Sequence, residues 1–170
     1  MNPVSYEAVR QIAVLRLNHP PVNALAYELR RELAAALDRA LTDVAIKGIV
    51  ITGTDKAFCA GADIPELGTP RAAQDPNIFT LIREIEGSRK PVVAAIAGIC
   101  MGGGLEIALA CHYRVALTDA QISFPEIKLG LMPGAGGTQR LPRLSGLQWA
   151  LNLMLTGNPV RAERLMDTDL

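Results

Sequence analysis

Histidine is nearly missing from this chain: among 170 residues only His19 and His112 carry an imidazole. A histidine-rich metal centre cannot be built from two residues. A Ser/His/Asp triad would have to recruit one of them, and neither sits in a motif that suggests it. Cysteine is scarce as well. Cys59, Cys100 and Cys111 are an odd number with no C-x-x-C spacing, which argues against a disulfide framework or a thiolate zinc site and for free thiols in a reducing compartment. Neither sign of charge is in excess, since Lys+Arg and Asp+Glu both number 17 and are interspersed. The basic stripe of a nucleic-acid binder is therefore lacking, while a local site for an anionic ligand stays open. No apolar run approaches the ~18 residues of a membrane span. The N-terminal MNPVSYEAVRQ carries Glu7 and has no apolar signal core, so secretion is not expected and the expected location is cytoplasmic.

What remains is an ordinary soluble composition, 49% hydrophobic and 20% charged, with length for one domain over 1–170 and one sizeable core. Val4–Leu17 reads as two short strands or a hairpin. NHPPVNAL follows as a loop, because Pro20 and Pro21 forbid helix there. Ala26–Thr42 repeats apolar residues at helical spacing. Lys47–Gly53 and Lys90–Gly98 are β-branched or small apolar runs bounded by Gly or Pro, the pattern of buried strands. Between them lie a loop with a helical turn from Ile64 and a helix over Phe79–Ser88. Leu105–Cys111 reads as a short helix, YRVAL as a strand, QISFPEI as strand and turn, and Leu147–Leu155 and Val160–Met166 as helices. Strands alternating with helices predict an α/β domain with mainly parallel pairing. NPVRAERLMDTDL ends in a helical pattern without a cap, which raises the expectation of a truncated chain.

The segment ICMGGGLEIALACHYRVA places Gly102, Gly103 and Gly104 ahead of Glu106. Each glycine in a helix start costs roughly 0.5–1 kcal/mol relative to Ala, so three together suggest close approach of something to the backbone. A strand, a glycine turn and a helix start present unpaired N–H groups and the positive end of a dipole to an anion. The P-loop and G-x-G-x-x-G patterns are both missing, which makes nucleotide binding a weak reading and leaves an oxyanion developing on a carbonyl. FCAGADIP, with Ala62, is a second small-residue turn after a strand. The alternative is that both turns are merely tight connections. Glu106 could likewise serve only to cap its helix, and Glu126 after Pro125 only to open a turn. Both glutamates, however, sit in apolar stretches, GLEIALA and FPEIKLGL, where desolvation raises a carboxyl toward values useful for proton transfer.

AFCAGADI, IAGICMGGGLEIALACHYRVA and FPEIKLGLMPGAGGTQRLPRLSG, with NHPPVNAL before them, resemble the signature blocks of the enoyl-CoA hydratase/isomerase (crotonase) superfamily across nearly the whole chain. The wording is most similar to the N-terminal hydratase/isomerase domain of multifunctional fatty-acid oxidation enzymes. The resemblance implies a crotonase-like spiral of ββα units that lacks the family's C-terminal helices. It implies an acyl-CoA thioester substrate whose carbonyl oxygen is held by the N–H groups of Ala62 and Gly103. Glu106 and Glu126 would be the catalytic pair that adds water across a 2-trans-enoyl-CoA. Ala62, Asp63, Ile64, Pro65, Gly102 and Gly103 would line the substrate and CoA site, although Pro65 stands where the family often has lysine.

Several further expectations follow from the same resemblance. No metal and no separate cofactor are needed, coenzyme A being part of the substrate. The chain would form a trimer-based homo-oligomer or belong to a longer multifunctional chain with a dehydrogenase domain. Isomerases of the family generally keep only the equivalent of Glu126, so the presence of both glutamates favours hydration. A 3,2-enoyl-CoA isomerase activity and an inactive acyl-CoA-binding fragment are the alternatives.

Overall fold

A computed structural model describes residues 2–170. The chain opens with an antiparallel hairpin of β1 (Val4–Val9) and β2 (Ile12–Leu17), as expected. Along β2 the alternation places Ala13, Leu15 and Leu17 in the core. Its other edge pairs in parallel with β3 (Gly48–Thr52), which pairs with β5 (Val92–Ile96), which in turn pairs with β7 (Tyr113–Ala116). A second sheet holds β4 (Ala57–Cys59), β6 (Ile99–Met101) and β8 (Gln121–Ser123) in parallel, closed by the antiparallel β9 (Val160–Arg161).

The run read as one strand from Lys90 to Gly98 is thus the first half of a longer crossing. β5 ends at Ile96 in one sheet and β6 starts at Ile99 in the other. Gly98 makes the step: its φ is +59°, and a Cβ there would lie 2.1 Å from the Lys56 carbonyl oxygen. Only glycine tolerates both conditions. The same step recurs from β3 to β4 and from β7 to β8, so each turn of the spiral lays one strand in each sheet before a helix returns the chain. These are the expected ββα units.

Helix α1 (Tyr27–Thr42) buries Leu29, Leu33, Leu37 and Ala40 along one face, the spacing that marked it in the sequence. A four-residue helix, α2 (Pro70–Ala73), was not foreseen. In α3 (Ile78–Glu86) the Asn77 side chain caps the N-terminus by accepting from the Phe79 and Thr80 N–H groups at 2.9 and 3.1 Å. Helix α4 (Gly103–Ala110) is buried along its whole length. Helix α5 (Gly137–Thr156) begins ten residues ahead of the expected Leu147 and breaks at Gly146, where φ is +78°. Glycines and Pro142 mask the periodicity of its first part.

A second correction concerns Val160–Met166, which is not helical. Val160 and Arg161 pair with Ile122 and Gln121, and a 3-10 turn covers Ala162–Leu165. The buried pair Val160 and Leu165 fits a strand and turn as well as a helix, and the free edge of β8 decides between them. No helix among the described residues is long and apolar enough to cross a membrane.

Candidate active site

The NHPPVNAL loop docks the first donor turn. Buried Asn23 donates from Nδ2 to the carbonyls of Leu17, Ala57 and Phe58 at 2.9–3.2 Å, and its Oδ1 accepts from the His19 N–H at 2.7 Å. The Ala60 N–H donates to Val22 O and the Leu25 N–H to Gly61 O, which fixes the 60–62 turn at the end of β4. The second turn sits at the end of the neighbouring β6. There Gly102 has φ +52° and its N–H donates to Ser123 O at 3.1 Å.

The two turns nearly touch. A Cβ on Gly61 would stand 3.1 Å from the Gly103 nitrogen, and one on Gly103 would stand 3.8 Å from the Ala62 nitrogen. Neither the Ala62 nor the Gly103 N–H donates to an acceptor among the described residues. Gly103 is the first residue of α4, where such groups lack a partner by construction. Two main-chain N–H groups without a protein acceptor thus lie side by side at the ends of β4 and β6.

Both glutamates face the same cavity of about 300 Å³, together with Ala62, Ile64, Gly102 and Gly103 and an apolar wall of Leu67, Ile78, Phe79, Leu129, Leu131 and Met132. Their environments differ. The Glu106 side chain, 3% exposed, does not cap its own helix. It turns to the loop before α5, where its Oε1 accepts from the N–H groups of Ala135 at 2.6 Å and Gly137 at 2.9 Å. Burial pushes its carboxyl above the usual range, while these two hydrogen bonds and the charge of Arg140 pull it back. Glu126 sits at the start of a 3-10 turn, Pro125–Leu129, with its Oε2 buried and unpartnered among the described residues. Burial, helped by the neighbouring Glu106 charge, pushes it up to about 7. Its Oε1 lies 3.1 Å from where a Cβ on Gly102 would be, so the glycine clears the space the carboxyl occupies.

The remaining predicted residues divide. Ala62, Ile64, Gly102 and Gly103 meet the glutamates. Asp63 and Pro65 face a wider cleft next to His19, Tyr27, Glu66 and Arg71. Glu66 of that cleft is held by buried Arg30, 5% exposed, which donates to its Oε2 and to the carbonyls of Leu25, Pro76 and Arg71. His112 lies apart, its Nδ1 accepting from the Val92 N–H. The three cysteines are buried thiols whose burial raises them far from the ionised form. Among the described residues no group of three or more His, Cys, Asp or Glu could hold a metal ion. Sequence reasoning missed Ala135 and Gly137, because a backbone donor leaves no residue-type signature. The only signal was the glycine-rich GAGG.

Comparison with known proteins identifies the family. The sequence profile of the enoyl-CoA hydratase/isomerase family matches residues 7–168. A probable enoyl-CoA hydratase of Bacillus subtilis is 41% identical over 175 aligned positions, covering 100% of this chain and 68% of that protein. The peroxisomal bifunctional enzyme of Danio rerio is 46% identical over 162, covering 95% of this chain but only 22% of the enzyme. Among solved structures, an enoyl-CoA hydratase from Bacillus anthracis superposes with a TM-score of 0.87 at 37% identity, over 95% of this chain and 66% of that one. By its profile, its relatives and its fold, the chain belongs to the enoyl-CoA hydratase/isomerase family.

Proposed function

We propose that this site hydrates the double bond of a 2-trans-enoyl-CoA. One observation carries the reading: two unpaired main-chain donors and two carboxyls, one clamped by two N–H groups and the other with an unpartnered oxygen, face a single apolar cavity. The thioester oxygen accepts from the Ala62 and Gly103 N–H groups, and the CoA portion runs along Ala62–Pro65. Glu106, whose Oε1 accepts from the Ala135 and Gly137 N–H groups, takes a proton from water. The water oxygen bonds to the β-carbon, and the π electrons move onto the thioester as an enolate. Glu126, protonated near neutral pH, delivers its proton to the α-carbon. The proton gained by Glu106 then passes back through solvent, so the pair resets with one water consumed. Each proton transfer is worth roughly 10²–10⁴-fold, and one good oxyanion donor on the order of 3 kcal/mol.

The test is loss of the enoyl absorbance of crotonyl-CoA. The native chain hydrates it, while Glu106→Gln and Glu126→Gln lose at least a hundredfold in kcat and keep CoA-ester binding. A native chain that binds the thioester without changing its absorbance would point to the binding-fragment alternative. The unpartnered Glu126 is also suited to moving a proton between the α- and γ-carbons of a 3-enoyl-CoA. Isomerisation of that substrate, insensitive to Glu106→Gln, would reveal this second activity. The expected setting is the cytoplasm, or the peroxisome, where the names of several relatives place those proteins. Assembly as a trimer or within a longer multifunctional chain is the accompanying proposal.

A further inference from the structure

We infer that Arg140 is the positioning residue for Glu106: it braces the turn whose N–H groups hold that carboxylate and supplies the cation that keeps it the base of the pair. The inference rests on the hydratase reading and adds a residue to it. Arg140 lies in the first turns of α5 and spends its guanidinium on two targets. Nε and Nη2 form a fork on the two Glu86 oxygens of α3 at 2.6 and 2.9 Å. Nη1 donates to the Ala135 carbonyl at 2.8 Å. The Ala135 N–H, at the other side of the same residue, is the 2.6 Å donor to Glu106. Glu86 thus fixes Arg140 in direction, Arg140 fixes Ala135, and Ala135 fixes Glu106.

A surface ion pair is ordinarily worth little. Here its product is direction, because the Arg140 side chain is largely buried, 22% exposed, and reaches past Gly136, whose missing Cβ would lie 2.0 Å from Nη1. The charged groups at Glu106 are few. Glu126 faces it from the 3-10 turn and Arg140 from α5. On α3, Glu86 is engaged with Arg140, and Arg83 lines the same outer groove. Arg140 is therefore the cation that offsets the repulsion between the two carboxylates. Lysine cannot make the fork and reach Ala135 together.

The test combines turnover with a titration that needs none. In the native chain and in Arg140→Met, Arg140→Lys and Glu86→Gln, kcat and KM for crotonyl-CoA are measured across pH. In parallel, the glutamate side-chain carboxyls are followed by carbon-13 NMR, with the Glu106 signal assigned by its loss in Glu106→Gln. Arg140→Met is expected to lower kcat about tenfold to a hundredfold, as a misplaced base does, with KM within about twofold. Its acid limb and Glu106 midpoint move to higher pH, because the compensating cation is gone. Arg140→Lys restores the midpoint but only part of kcat, and Glu86→Gln loses kcat with a smaller midpoint shift. An unmoved Glu106 midpoint with native kcat in these variants overturns the inference. Should Arg140→Met fail to fold, the Lys and Gln variants decide it by the same readouts. Failure of the hydratase reading is separate: the native chain would then be inactive while the Glu106 midpoint still responded to Arg140.

Discussion

The cavity holds two copies of one side chain and treats them oppositely. Glu106 projects from a wholly buried helix into a pair of N–H donors backed by a guanidinium. Glu126 hangs from a short 3-10 turn with one oxygen unpartnered among the described residues. Burial raises both, but it goes unopposed by any external hydrogen-bond donor only at Glu126. The contrast teaches that an acid and a base can be made from one residue type by deciding where the donors go, since pairs pushed apart in proton affinity acquire distinct roles.

The hardest blow to that division is to neutralise either member. Glu126→Gln and Glu106→Gln should each cost on the order of 10²–10⁴ in kcat, read by loss of enoyl absorbance. A milder attack disturbs the support of each glutamate. Gly137→Ala would bring a Cβ within 2.6 Å of Phe124 Cζ and 3.1 Å of Glu106 Oε1, whereas Gly102→Ala would meet Glu126 Oε1 at 3.1 Å with its φ at +52°. Both should lose about tenfold to a hundredfold in kcat and about 1–3 kcal/mol of stability in urea melts. The Glu106 titration should move only in the first and that of Glu126 chiefly in the second.

Next comes pH. Glu126 is raised in the folded chain to about 7 from an ordinary 4.5. Its folded form therefore holds the proton more tightly than its unfolded form, and the stability this contributes is present below pH 4.5 and lost as pH rises to about 7. Melts of the native chain against Glu126→Gln should diverge by roughly 1–3 kcal/mol across that window, the Gln variant being favoured at pH 8. For hydration itself, activity should fall as pH rises through about 7 and Glu126 gives up its proton. The smallest effect is expected at His112→Ala, within about twofold of native kcat, since that ring serves only the Val92 N–H. A large loss there would bring a third proton carrier into the comparison.

Much of this was legible before any coordinates. Leucines and an alanine at helical spacing marked α1, alternation marked the hairpin, and the oddly placed glutamates marked themselves. Three things were not legible. The split of Lys90–Met101 between two sheets depends on the missing Cβ of Gly98, which would strike the Lys56 carbonyl, 42 positions earlier. The strand at Val160 depends on an available edge of β8. The clamp on Glu106 consists of peptide N–H groups, which every residue but proline possesses. Local pattern reports what a segment buries, and these three features concern what a segment meets.

The two main-chain donors that the proposed mechanism assigns to the thioester oxygen carry one more implication. The N–H groups of Ala62 and Gly103 are part of the peptide chain, so exchanging side chains cannot delete them, short of proline. Genetic drift can rewrite the acid, the base and the apolar wall one codon at a time, while the cradle for the negative charge is inherited intact with the backbone. A lineage built on such a frame can change the reaction it performs without first losing the means of stabilising its intermediate.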